Sequence, residues 1–150
     1  MKENDRMTSG ALSGLAFLKA MIDGKEPVPP MAQTIPMSMV SVAAGSVRFT
    51  ATAGKQHLNP MGGVHGGFAA TVLDTVTGCA VHSLLEPGIG YATVDLNVKM
   101  VRPVPCDRGL TATGKIIHMS GRLAVSEGEL QDGDGNILAH ATATCMILRN

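Results

Sequence analysis

The sequence predicts an α+β fold in which a mostly antiparallel sheet wraps one long apolar helix. Three observations carry this. Residues 66–85 form an apolar, helix-length stretch whose single formal charge is Asp74. Alternation with a period of two appears on both sides of it. The later alternating runs are separated by Ser120-Gly121 and by Asp132-Gly133-Asp134-Gly135, residues suited to hairpin turns.

Residues 8–23 space Leu12, Leu15, Ala16, Leu18 and Met21 as a short amphipathic helix does, and Gly24 follows as a stop. The stretch from Lys25 to Pro36 holds four prolines and reads as an extended linker, since proline fixes φ and removes a donor. Runs on either side of Gly45 form a hairpin, the second alternating Val47, Phe49 and Ala51 against Ser46, Arg48 and Thr50. After the apolar helix, residues 91–101 alternate as a strand with Ala92, Val94, Leu96, Val98 and Met100 on the core face. Three more strands complete the order helix, two strands, helix, four strands. So many strands around one helix leave an edge or face that a second copy can cover.

One domain accommodates 150 residues, divided here into an N-terminal helix with its proline-rich linker (1–34) and a main domain (35–150). Twelve basic residues balance twelve acidic ones, and no Lys/Arg run stands out, which argues against nucleic acid or an anionic membrane as partner. A small molecule is the expected ligand. Cys79, Cys106 and Cys145 form neither an even disulfide set nor a C-x-x-C pair. Acids precede the first apolar run and a lysine lies within it, unlike a secretory signal. A cytoplasmic location is expected. The 66–85 stretch approaches the length of a membrane span, but Asp74, its glycines and His82 penalise insertion.

Residues 132–136 superficially resemble a calcium loop, yet Ile137 stands where the sixth-place glycine belongs and Ala143 where the twelfth-place acid belongs. The five histidines show no H-E-x-x-H or short paired spacing, so neither metal nor cofactor is expected. His65-Gly66-Gly67 opens the long helix, where unpaired N–H groups and the positive end of the dipole favour an anion or a developing oxyanion. Gly-Gly also suits a plain turn into the helix. Asp74 has two readings: an acid satisfied by the hydroxyls of Thr71, Thr75 and Thr77, or a general base or nucleophile facing an oxyanion hole at the Gly66 N–H. Eight helical residues separate Gly66 from Asp74, about 12 Å along the axis. Both groups must lie close to one reacting carbonyl, so joint action requires two chains related by a twofold axis.

The pattern N-x-x-G-x-x-H-G-G at Asn59, Gly62, His65, Gly66 and Gly67, followed by Asp74, Gly78 and Ala80, resembles the hotdog-fold acyl-CoA thioesterases of the phenylacetate-degradation type. The strand from Thr93 to Val104 matches in character, and the resemblance spans roughly residues 35–148. It implies an antiparallel sheet wrapped around the central helix, dimers that often pair into homotetramers, and hydrolysis of a small or medium acyl or aryl CoA thioester. It further implies Asp74 as the catalytic carboxylate, the Gly66 N–H as carbonyl donor and Asn59 as the group positioning water or substrate. His65 would orient the thioester or support its loop, and Thr93 would assist from a partner strand. Gly67 and Phe68 are expected to line the substrate site, and Arg102 and Arg122 to meet CoA phosphates. A non-catalytic acyl-CoA-binding module and a hydratase or dehydratase of the same fold are the rivals, and a buried carboxylate favours the hydrolase.

Overall fold

A computed structural model describes residues 11–149. Helix α1 (Gly14–Ile22) begins at Ser13, whose hydroxyl accepts the Ala16 N–H at 3.2 Å, and is followed by Gly24 in the left-handed region (φ 72°). Residues 8–10 of the expected helix lie outside the described residues. The proline-rich stretch is not wholly extended, because Pro30 starts a short helical turn, α2 (Met31–Thr34). Proline's fixed φ suits a helix start, and the next proline comes only at Pro36.

Strands β1 (Met37–Ala43) and β2 (Ser46–Thr52) form the expected hairpin, with Ala43 opposite Ser46 and Gly45 at φ 82°. Helix α3 (Gly66–His82) follows, then β3 (Gly90–Met100), β4 (Gly109–Met119), β5 (Leu123–Gln131) and β6 (Ile137–Leu148). All six strands join one antiparallel sheet in the order β1-β2-β4-β5-β6-β3.

The sheet curves around α3, which buries Val72, Leu73, Val76 and Val81 completely. Helix and sheet touch closely at Gly114, where a Cβ would collide with the Val76 carbonyl. The buried Ser126 hydroxyl of β5 donates to the Thr77 carbonyl at 3.1 Å and pins the helix axially. Helix α1 packs on the same body: the Gly14 N–H donates to the Leu85 carbonyl at 2.9 Å, Leu18 is buried, and Phe17 lies 5.5 Å from the His82 ring.

β3 corrects the sequence expectation. Its register against β6 shifts between Thr93 and Asp95, so Val94 is the extra residue of a bulge. Tyr91 and Thr93 pair with the buried Ile147 and Cys145, while Leu96, Val98 and Met100 pair with the buried alanines 143, 141 and 139. Directly opposed residues share a face, so Thr93 faces inward and Ala92 outward, and Val94 is 54% exposed. Pairing on one side only makes this 11-residue strand a sheet edge.

Candidate active site

Asp74 sits at the middle of α3 and lines a cavity of about 720 Å³. Its walls come from α1 and the following segment (Phe17, Met21, Met31), from β1 (Met37, Met39) and from the start of β3. Asp74 Oδ1 is buried and has no hydrogen-bond partner among the described residues. Satisfaction by neighbouring threonines does not occur. Thr71 donates to the Gly67 carbonyl (2.8 Å), Thr75 to Thr71 (2.9 Å) and Thr77 to Leu73 (2.7 Å), so all three hydroxyls turn back onto the helix.

The surroundings of this carboxylate are strongly desolvated. Burial, with the Asp74 charge as a smaller cause, pushes the Cys79 thiol up to about 12. Tyr91 is raised well above the ordinary phenol range, first by burial and then by the charges of Cys79, Cys145 and Asp74. Burial lowers the His82 pKa, with its ring held between Phe17 and Tyr91 at 5.5 and 5.6 Å. Thr93 lines the same cavity, its Oγ1 lying 3.8 Å from Cys145 Sγ.

Gly66 faces a different place, a cleft of about 270 Å³ shared with Met100, Arg102 and Leu138. As the first residue of α3 its N–H has no intrahelical acceptor, and none of the described residues supplies another. A Cβ at Gly66 would come within 2.7 Å of Met100 Sδ, so the thioether rests directly on this glycine. His65 is the N-cap: its Nδ1 accepts the Gly67 N–H at 2.8 Å, which places its ring proton on Nε2.

The other expected residues divide. Asn59 Oδ1 accepts from Met61 (3.0 Å) and Gly63 (3.2 Å), so it shapes the loop before α3. Phe68 is a correction: at 2% exposure it belongs to the core, 5.2 Å from the His57 ring, because the helix turns it toward the sheet. The Gly67 N–H is likewise committed, to His65. Arg102 borders the Gly66 cleft and donates Nη1–H to the Ile137 carbonyl at 2.6 Å. Arg122 lies in the β4–β5 turn, at the end of the sheet where Leu123 pairs with Met146, whereas Gly66 lies by Met100 at the other end. Sequence reasoning missed two residues. Tyr91, the chain's only tyrosine, enters the cavity, and His57 accepts the Gly54 N–H on Nδ1 (2.9 Å) while Nε2–H donates to the Thr34 carbonyl (2.8 Å), tying α2 to the loop. Tyr91's singularity was a signal; His57 offered none.

Among the described residues no group of histidine, cysteine and acidic side chains can hold a metal ion, and no helix is long and apolar enough to cross a membrane. A carboxylate without a partner among the described residues thus lines a cavity, on a helix whose first amide is free among them. Residues 61–139 match the thioesterase superfamily, so the chain belongs to that superfamily. It is a hotdog-fold thioester hydrolase of the phenylacetate-degradation type. The solved structure of a phenylacetic acid degradation-related protein from Ralstonia eutropha JMP134 is 34% identical and superposes with a TM-score of 0.80 over 87% of this chain and 98% of its own. Human acyl-coenzyme A thioesterase 13 is 26% identical over 109 residues, 72% of this chain and 77% of its own. An esterase-type relative from Halobacterium salinarum is 41% identical over 68 residues, and this chain spans 44% of that protein's length.

Proposed function

We propose that this chain hydrolyses acyl-CoA thioesters by base-assisted attack of water, in sites each built from two copies of the chain. The observation that carries the proposal is Asp74 Oδ1, buried in a largely apolar cavity without a partner among the described residues. Leaving a charged acceptor unpaired lowers stability by more than about 1–3 kcal/mol, so the group is held ready for a partner that arrives with the substrate. A thioester carbonyl needs only a base and one oxyanion donor, the latter supplying on the order of 3 kcal/mol.

Asp74 and Gly66 open onto different spaces of one chain, which supports completion of each site by a neighbour. The unpaired edge of β3, with Val94 and Met100 more than half exposed, supports antiparallel pairing with a second β3 about a twofold axis. Two α3 helices then lie side by side, and the Gly66 amide of one faces the Asp74 of the other. Pairs of such dimers form a homotetramer in this proposal, working in the cytoplasm. The acyl group enters the Met-lined cavity, Thr93 flanks it, and Asn59 and His65 hold the loop that aims the Gly66 amide. Arg102, beside the Gly66 cleft, supplies a cation for CoA phosphates, whereas Arg122 is the more distant candidate.

The test is thiol release from short, medium, long and aryl CoA esters, combined with subunit mixing. Gly66→Pro deletes the N–H at the first helical position, which tolerates proline, and His65 already holds extended angles (φ −61°, ψ 136°) suited to a preceding residue. Asp74→Asn and Gly66→Pro chains should each be inactive alone. Refolded together they should recover about a quarter of wild-type activity, because half the dimers carry one intact site of two. No recovery from properly mixed dimers would refute the shared site.

A further inference from the structure

The cavity holds a second polar group that the superfamily assignment does not use. Tyr91 faces inward from β3, with its ring against His82 and its hydroxyl over Gly78. A Cβ on Gly78 would stand only 2.9 Å from the Tyr91 oxygen, so glycine at this position makes room for the hydroxyl. Among the described residues the hydroxyl has no hydrogen-bond partner, though it lines the same cavity as Asp74. Two groups of complementary character are therefore left open together: a carboxylate oxygen that only accepts, and a phenol that donates.

The two groups lie about one helical turn apart along α3. Gly78 lies one helical turn after Asp74, and Cβ positions four apart on a helix are about 5–6 Å from each other. The Tyr91 hydroxyl rests on the Gly78 end of that span, and no direct bond joins it to Asp74. A water between them makes one hydrogen bond of about 2.8 Å to each. The raised Tyr91 pKa keeps the phenol protonated, hence a donor.

We propose that Tyr91 is a positioning residue that holds the attacking water against Asp74. The proposal rests on reading Asp74 as the general base. The water accepts from Tyr91 O–H with one lone pair and donates to Asp74 Oδ1, which leaves its second lone pair for the thioester carbon. As the new C–O bond forms, the donated proton passes to Asp74. Collapse of the tetrahedral intermediate breaks the C–S bond, and the departing CoA thiolate takes that proton, giving the free acid and CoA thiol. Tyr91 keeps its own proton throughout.

The test is Tyr91→Phe, which retains the ring on His82, assayed on the two CoA esters that the wild type turns over fastest and on a 3-hydroxyacyl-CoA of matched chain length. The expected result is a kcat about tenfold lower on every ester, as loss of one hydrogen bond implies, with KM changed less than about twofold and an unaltered melting temperature. Gly78→Ala, which displaces the hydroxyl, should lower kcat comparably in the wild type and add little on the Tyr91→Phe background. An unchanged kcat in Tyr91→Phe, with Asp74→Asn inactive, overturns the role of Tyr91 and leaves the general base standing. A loss confined to the 3-hydroxyacyl ester also overturns it, since Tyr91 would then bind the substrate's hydroxyl. Turnover persisting in Asp74→Asn removes the base itself.

Discussion

Asp74→Asn should abolish turnover and at the same time stabilise the protein. The carboxylate oxygen Oδ1 is buried with no partner among the described residues, and the three nearby threonine hydroxyls are committed to helix carbonyls. An unsatisfied buried acceptor lowers stability by about 1–3 kcal/mol, more when charged, and an isosteric amide removes the charge while keeping the volume. A gain of about 1–2 kcal/mol is expected, and for a chain of this size each kcal/mol moves the melting temperature by about 2–4 °C. Thermal unfolding at neutral pH should therefore show a rise of about 2–8 °C. The same preparation should lose at least about a hundredfold in kcat, as removal of a general base does. Asp95→Asn is the control, because that carboxylate is exposed on the outer face of β3, and it should shift neither quantity. A melting temperature that is unchanged or lower in Asp74→Asn would show that the carboxylate is paired in the free enzyme, and the premise of an acid held open for substrate would fail.

Gly114→Ala drives a methyl group into the Val76 carbonyl and should destabilise by about 1–3 kcal/mol in urea unfolding, with the loss appearing in the midpoint. His82 titrates below its ordinary value of 6.5 because it is buried, so the unfolded chain binds the proton more readily. Stability should hold above about pH 6.5 and decline below it, and His82→Phe, which keeps an aromatic ring between Phe17 and Tyr91, should flatten that decline. Cys79, pushed up to about 12, has a thiolate fraction of about 10⁻⁴ at pH 8. Iodoacetamide should label the partly exposed Cys106 first by peptide mass spectrometry, and prior labelling of Cys79 would contradict its burial.

What the sequence discloses and what it hides follow from the range of the forces involved. Hairpins such as 37–52 and 109–131 are legible because alternation and turn chemistry act between neighbours. Asp74 is legible because one charge in twenty apolar-rich positions has no bland explanation short of local hydrogen bonds. The bulge at Val94 is not, since it exists only as a mismatch with β6, some fifty residues away. Phe68 follows the same logic: a phenylalanine after Gly-Gly suits a pocket or a core, and only the packing of α3 on the sheet decides.

That bulge also explains why the site is where it is. Without an extra residue, the inward face of Leu96, Val98 and Met100 would continue through Val94 and Ala92, and aliphatic groups would meet the helix. With it, Thr93 and Tyr91 face Asp74 instead. One inserted residue thus switches a strand from closing the core over an acid to presenting hydroxyls to it, at the edge where a second chain can add the missing amide. Deleting Val94 should accordingly straighten the strand while keeping Thr93 and Tyr91 on the inward face, since they then stand two and four positions before Leu96, and turnover should persist, a result readable as retained circular dichroism with thiol release. Loss of activity in that deletion, with the sheet intact, would sever the link between the facing of these two hydroxyls and the chemistry.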